Sequence, residues 1–194
     1  MLITEKFKNT SIILASGSPR RKQLLASLDL DFQVKTKDTP EDFPHDMPIA
    51  EVPLFLARRK AEAFLQDIQK EHLIITADTI VSIESSILNK PQDEAEAIAM
   101  LQKLSGKMHE VITGVCLMNN QKTFVFSDTT KVFFKNLTEE EIIYYVQKYT
   151  PYDKAGSYGA QEWLGMVAIT KIEGSYFNVM GLPIHKLYQE LIHF

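Results

Sequence analysis

The junction between the first apolar run and the first helix constrains the fold of this chain more than any other feature. Residues 11–15 form a strand-like apolar segment, and a helix is predicted to begin directly after it. Ser18 is a suitable N-cap, and Pro19 fits the first helical position. Three cations then follow at residues 20–22. The pattern predicts a strand, a tight turn and a helix whose first turn is strongly positive.

Cations are unusual at this end of a helix. A helix N-terminus already carries about half a positive charge, so each added cation is disfavoured by roughly 0.3–1 kcal/mol. An anion bound among the cations removes this conflict, and free backbone N–H groups beside guanidinium groups favour phosphate. We therefore predict a phosphate cradle, formed by Ser16, Ser18, Arg20 and Arg21 around the small Gly17. The alternative is an ordinary helix start with solvated charges.

Charge and composition limit the classes of function. The net charge is −4, and 45% of the residues are hydrophobic, as in ordinary globular proteins. The acidic balance argues against a broad nucleic-acid-binding face. No stretch approaches the roughly 20 apolar residues of a membrane span, and no signal-peptide pattern opens the sequence. The single Cys116 lies in a strand-like run, which predicts a core residue in a reducing compartment, the cytoplasm.

Strand and helix patterns alternate along the chain, which predicts one α/β domain over residues 1–194 with a mixed sheet flanked by helices. Helices are predicted over 20–28, 49–70, 92–104, from the capping box at 138–141 to 148, and after Pro183 through 191. Strands are predicted over 11–15, 32–34, 72–81 with a hairpin return at 87–88, two or three times within 111–135, and over 166–172.

Asp78 interrupts a buried strand. A carboxylate in such a position is costly unless it is paired, hydrogen-bonded or bound to a metal ion. Its functional roles would be metal ligand or general base, and the alternative is a structural Asp held by backbone amides.

Other charged residues are weaker signals. Taken alone, Lys60, Lys90 and Glu41 are typical of solvated surface. The five histidines have no metal-binding spacing, and Walker-type and dinucleotide-binding glycine motifs are absent. The loop 153–161 is rich in glycine, hydroxyl and amide groups that can bind the edges of a ligand.

Taken together, a series of motifs resembles the Maf family of nucleoside triphosphate pyrophosphatases over nearly the whole chain. They are Leu14-Ala15-Ser16-Gly17-Ser18-Pro19-Arg20-Arg21, Leu56-Ala57-x-x-Lys60-Ala61, Ala77-Asp78-Thr79, Lys90-Pro91, Leu104-Ser105-Gly106-Lys107, Thr113-Gly114-Val115, Asp153-Lys154-Ala155-Gly156-Ser157-Tyr158-Gly159, Gly174-Ser175-Tyr176 and Val179-Met180-Gly181-Leu182-Pro183.

The resemblance implies hydrolysis of a nucleoside triphosphate to the monophosphate and pyrophosphate with a divalent cation, Mg²⁺ or Mn²⁺. It also implies an elongated, inosine-triphosphatase-like fold with two lobes around a central cleft, and a homodimer. By position, Asp78 matches the family's general base and Glu41 its second carboxylate, and these two would ligate the metal. The phosphate-binding cations are Arg20, Arg21, Lys60 and Lys90, of which Lys90 is also counted as catalytic.

The last loop resembles that of the subgroup that prefers dTTP and UTP. Arg20, Thr79 and Gln161 match the positions tied to substrate choice there. The match is weakest around Glu41: the family usually has another acid two or three residues before this Glu, and here Thr39-Pro40 intervenes after Asp38. Two alternatives remain open: a nucleotidyltransferase, whose family also opens with Leu-Ala-x-Gly, and a non-enzymatic nucleotide sensor in septum formation.

Overall fold

The structure is a computed structural model that describes residues 2–194. Its helices are α1 (Ile3–Lys6), α2 (Pro19–Ala26), α3 (Val52–Glu62), α4 (Glu94–Leu104), α5 (Glu139–Tyr149), α6 (Trp163–Ala168), α7 (Tyr176–Val179) and α8 (Ile184–His193), with 3₁₀ turns at Ile49–Glu51 and Ala155–Ser157. Its strands are β1 (Ser11–Leu14), β2 (Phe32–Val34), β3 (His72–Ile83), β4 (Ser86–Leu88), β5 (Met108–Met118), β6 (Thr123–Phe134) and β7 (Ile169–Glu173).

Seven strands of the described residues form a single mixed sheet. Six of them follow the order β2-β1-β3-β5-β6-β7, and β4 pairs with β3. Strand β1 runs parallel to both β2 and β3, whereas the β3–β4 and β6–β7 pairs are antiparallel. The predicted fold class, a mixed sheet with helices, is confirmed.

The described residues divide into two compact units. The first comprises the described residues up to Asp78, together with Thr113–Asp128 and Gly181–Phe194; the second comprises Thr79–Ile112 and Thr129–Met180. The boundary positions 78, 112 and 128 fall within strands β3, β5 and β6.

Each unit has its own apolar core. In the first, helix α3 contributes Ala57 and Ala61 to a cluster that includes Ile13 and Ile74 from the sheet and the fully buried Cys116. The predicted core position of Cys116 is confirmed, and burial raises the pKa of its thiol to about 12. In the second unit, helices α4 and α5 pack on the sheet around Leu101, Leu104 and Tyr145.

Two local predictions need correction. The helix predicted over 49–70 begins as a 3₁₀ turn and ends at Glu62, because Phe64 and Leu65 bond to residues three positions back and the chain leaves the helix in tight turns. The strand predicted over 166–172 begins only at Ile169. Its first part belongs to helix α6, where Leu164 and Ala168, four positions apart, are buried and Met166 is exposed.

The caps predicted from the sequence are present. Ser18 caps α2 with Pro19 in the first turn, and Thr138 forms the capping box of α5 with Glu141. Among residues 2–194, no helix has the length and apolar character needed to cross a membrane.

Candidate functional site

The turn after β1 is built by two serines. The Ser18 side chain accepts a 3.5 Å hydrogen bond from the Arg21 backbone N–H, and the Ser18 N–H donates to Ser16 Oγ at 3.3 Å. Ser16 is buried. These bonds fix the turn that opens α2, and Arg20 and Arg21 follow in the first turn of that helix.

Arg21 is held at two points. Its Nε donates to the carbonyl oxygen of Gly181 at 2.8 Å, and its Nη1 donates to Ser16 Oγ at 3.4 Å. Burial lowers the pKa of the Arg21 guanidinium from its ordinary value; the negative charge of Asp78 opposes this, the positive charge of Arg20 adds to it, and Glu41 opposes it. The guanidinium therefore lies within electrostatic reach of both predicted carboxylates.

Lys60 joins those two carboxylates. Its Nζ lies 2.9 Å from Glu41 Oε1 and donates a short hydrogen bond to Asp78 Oδ1. The Asp78 side chain is only 11% exposed and that of Lys60 18%, whereas that of Glu41 is 51% exposed. The buried acid that the sequence predicted is thus paired with an ammonium group. The alternative of an Asp held by backbone amides does not describe this contact.

Arg59, the residue before Lys60, holds the loop that carries Glu41. Arg59 Nη1 donates to the carbonyl oxygens of Pro40 at 3.1 Å and Asp42 at 2.7 Å, and it pairs with the Asp42 carboxylate at 2.8 Å. Sequence reasoning missed this role. The only signal was an Arg-Arg-Lys run on a helix facing an acidic loop, a pattern that is typical of solvated charge.

Helix α3 is placed by contacts near its middle and its start. Thr76 Oγ1 on β3 donates to the carbonyl oxygen of Ala57 at 2.6 Å. The backbone of Gly114 on β5 lies so close to that of Pro53 that a Cβ atom would overlap it. These two contacts position Lys60 over the strand that carries Asp78.

The carboxylate pair fits one mode of metal binding. Among the described residues, no group of three or more His, Cys, Asp or Glu is arranged to hold a metal ion. Mg²⁺ is commonly bound by one or two carboxylates with substrate phosphates and waters completing its six ligands, and Asp78 with Glu41 supplies that donor set.

The remaining predicted residues belong to the second unit. Thr79 follows Asp78 on β3 and is half-buried. Lys90 is exposed at the end of the β4 hairpin, next to the buried Pro91. Gln161 is half-buried, and its Oε1 is buried with no hydrogen-bond partner among the described residues. The structure thus groups Ser16, Ser18, Arg20, Arg21, Glu41, Lys60 and Asp78 within the first unit and places these three in the second.

Comparison with known proteins gives one consistent family. The family described as Maf-like protein matches residues 11–194. The chain is 51% identical over 193 residues to a protein of Porphyromonas gingivalis named dTTP/UTP pyrophosphatase, covering 98% of this chain and 97% of that protein. It is 55% identical over 181 residues to a protein of the same name from Bacteroides fragilis, covering 93% of this chain and 94% of that one.

Among solved structures, the Staphylococcus aureus Ham1 protein is similar in fold. The TM-score is 0.51 at 18% sequence identity, covering 95% of this chain and 99% of that one. At this identity the likeness concerns the fold alone, and it agrees with the predicted inosine-triphosphatase-like class.

Proposed function

This chain belongs to the Maf family, and we propose that it hydrolyses nucleoside triphosphates, with dTTP and UTP as preferred substrates, to the monophosphate and pyrophosphate. The relatives at about half identity that carry the name dTTP/UTP pyrophosphatase span nearly the full chain. The loop residues Lys154, Tyr158 and Gln161 agree with the subgroup that this name describes.

One structural observation carries the proposal: the Lys60 ammonium group lies between the carboxylates of Asp78 and Glu41. Hydrolysis of a phosphoanhydride needs cations for the phosphate oxygens and an acid–base group for water. The first unit holds both kinds of group, since the Arg21 guanidinium is within electrostatic reach of the same carboxylates.

The cations receive the triphosphate. Arg20 and Arg21 would bind phosphate oxygens through paired N–H donors, and the Ser16–Ser18 turn would add backbone and hydroxyl donors at the start of α2. Lys60 and Lys90 would act as point charges. Because Nε of Arg21 is already fixed on Gly181, its remaining N–H groups are held in one orientation.

Asp78 would accept a proton from the attacking water. The water oxygen forms a bond to the α-phosphorus, the bond from that phosphorus to the bridging oxygen breaks, and pyrophosphate leaves. Lys60 holds Oδ1 of Asp78, so we assign the second carboxylate oxygen to the water. A Mg²⁺ or Mn²⁺ ion held by Asp78 and Glu41 would neutralise phosphate charge and lower the pKa of a bound water.

Base selection is assigned to Gln161, with Thr79 and Arg20 as the other specificity positions. A pyrimidine ring edge needs both a donor and an acceptor, and an amide side chain offers both. The buried Oε1 of Gln161, without a partner among the described residues, supports this role.

We also propose a cytoplasmic homodimer. A single, fully buried cysteine supports a reducing compartment, and the family resemblance is the support for the dimer. We propose neither a nucleic acid nor a membrane as a partner, since the composition is acidic.

A nucleotide panel tests the function. The purified protein would be incubated with dTTP, UTP, CTP, ATP and GTP, each with Mg²⁺, and the products identified. We expect the monophosphate and pyrophosphate from water alone, fastest with dTTP and UTP. Turnover only after a second substrate is added would indicate a nucleotidyltransferase, and binding without turnover would indicate a sensor. Either result would contradict the proposal.

A further inference from the structure

The turn that carries Gln161 is fastened on both sides to one tyrosine hydroxyl. The backbone N–H of Gly159 donates to the Tyr145 hydroxyl oxygen at 3.1 Å. That hydroxyl in turn donates to Oε2 of Glu162, and the Glu162 N–H donates to the Gly159 carbonyl oxygen at 3.0 Å. The segment 159–162, which includes Gln161, is therefore closed into a hydrogen-bonded turn around the Tyr145 hydroxyl.

This hydrogen-bonded turn is anchored in the core by Tyr145. Tyr145 is fully buried on helix α5, where its ring stacks on Tyr149 with centroids 5.0 Å apart. The other oxygen of Glu162 pairs with Lys154 Nζ at 3.0 Å, and the Lys154 side chain is only 9% exposed. A buried ion pair of this kind is costly to form and strongly destabilising to break on one side, which makes it better suited to fixing a geometry than to adding stability.

The preceding part of the loop is fixed as well. The Gly156 N–H donates to the carbonyl oxygen of Asn89 at 3.3 Å. Gly156 has a φ of +70°, and a Cβ at this position would lie 3.0 Å from the Val81 side chain. The loop is thus tied to the strand end that precedes Lys90, and the Gly159–Glu162 turn has little freedom to shift.

An amide held in one orientation distinguishes the hydrogen-bonding edges of two pyrimidine bases, whereas an amide that can rotate pairs equally well with both. Uracil presents an N3–H donor between two carbonyl oxygens, whereas cytosine presents a bare N3 acceptor and an amino group. A side-chain amide that is free to turn can pair with either pattern. The Oε1 of Gln161 is buried without a partner among residues 2–194, so its acceptor capacity is left unused, and an acceptor suits the uracil N3–H.

We propose that Tyr145, through Glu162 and Lys154, is a positioning residue that makes the enzyme prefer UTP over CTP by fixing the turn from which the amide of Gln161 projects. This rests on the proposed function, since it assumes that the chain hydrolyses UTP. None of the three residues is assigned contact with the nucleotide; they act on it only through the turn.

Tyr145→Phe tests the proposal, because it keeps the buried ring and removes only the hydroxyl. Tyr149→Phe, on the same helix and stacked on the same ring, is the matched control. We expect the UTP-to-CTP ratio of kcat/KM to fall about ten-fold in Tyr145→Phe, the size expected from a misplaced polar contact, and to stay at the parent value in Tyr149→Phe. Glu162→Gln, a second variant, should lower the ratio in the same direction.

A double-mutant cycle separates positioning from general destabilisation. If Tyr145 acts through Gln161, Tyr145→Phe should lower the ratio in the parent but not further in a Gln161→Ala background. A melting temperature that falls in Tyr145→Phe while the ratio stays at the parent value would overturn the proposal, as would additive effects in the cycle or a Gln161→Ala variant with the parent ratio.

Assays of the parent protein distinguish a failure of the proposed function from a failure of the positioning role of Tyr145. If it releases no pyrophosphate from UTP, the proposed function itself fails. If it hydrolyses UTP but does so no faster than CTP, the proposed function stands and the positioning role of Tyr145 is overturned.

Discussion

Lys60 on helix α3 donates a hydrogen bond to Asp78 on strand β3, eighteen residues further along the chain. The same ammonium nitrogen lies 2.9 Å from Glu41, so one cation holds an acid from a strand and an acid from a loop. Two carboxylates this close repel one another unless a cation lies between them. Lys60 therefore places one positive charge between the two carboxylates.

Lys60→Met should impair turnover. Removal of the ammonium group leaves Asp78 and Glu41 without the cation that pairs with both, and it removes a charge that we propose binds phosphate. We expect kcat/KM for dTTP to fall about 100-fold, the order seen when one charge-stabilising group is removed. Arg58→Met is the control, since among residues 2–194 the ion-pair partner of Arg58 is the exposed Glu62 one turn away. A Lys60→Met variant with parent kinetics would contradict the assignment.

Arg21→Lys should weaken substrate binding while preserving charge. Lysine cannot donate simultaneously to Gly181, to Ser16 and to a phosphate through a planar fork. We expect KM for dTTP to rise about ten-fold with a smaller change in kcat, measured in steady-state assays. Lys22→Met, at an exposed position on the same helix, should leave KM unchanged. An equal rise in KM in both variants would show that general charge, and not the Arg21 fork, binds the phosphates.

Gly114→Ala should disturb the site by displacing helix α3. A methyl group here would overlap the Pro53 backbone, which cannot move without moving the helix that carries Lys60. Overpacking of this kind typically costs about 1–3 kcal/mol. We expect a lower free energy of unfolding in urea and reduced kcat. Unchanged stability would show that the β5–α3 contact is looser than the structure indicates.

His109 should make the protein less stable in mild acid. Burial lowers its pKa to about 3, and its Nε2 lies 2.7 Å from the Tyr158 hydroxyl. Between the unfolded value near 6.5 and about 3, the unfolded chain binds a proton that the folded protein does not, so stability falls as the pH decreases. The neutral His109 therefore costs the protein no stability above about pH 6.5, and the free energy of unfolding decreases as the pH falls from about 6.5 toward about 3.

The test compares the parent with His109→Gln, which cannot titrate in this range. From pH 7 to pH 5 the parent should lose about 2 kcal/mol more unfolding free energy than the variant. Urea denaturation at the two pH values measures this difference. Equal losses in the two proteins would show that His109 titrates in the folded state near its ordinary pKa.

Local signals predicted the elements whose determinants lie within a few residues. The caps at Ser18 and Thr138 each depend on a side chain and a backbone group three positions apart, and both are present. The end of α3 was not predictable in this way. Apolar residues continue past Glu62 with helical spacing, but Phe64 is buried through a tighter turn that the periodicity does not encode.

Some contacts of the site residues were likewise predictable from local sequence signals, and others were not. The sequence indicated that Asp78 needs a partner, because a charge in a buried strand is costly, but not which partner. Lys60 and Glu41 had only weak signals alone, and their identification depended on the family resemblance. The bond from Arg21 to Gly181 links residues 160 positions apart, and no local pattern predicts such a contact.

Asp78→Asn in a pyrophosphate-release assay tests the central claim most directly. The substitution keeps the shape of the side chain and removes its charge and basicity. With dTTP and Mg²⁺, we predict that kcat falls at least about 1,000-fold while the circular dichroism spectrum stays that of the parent protein. Hydrolysis of dTTP by Asp78→Asn at the parent rate would contradict the account.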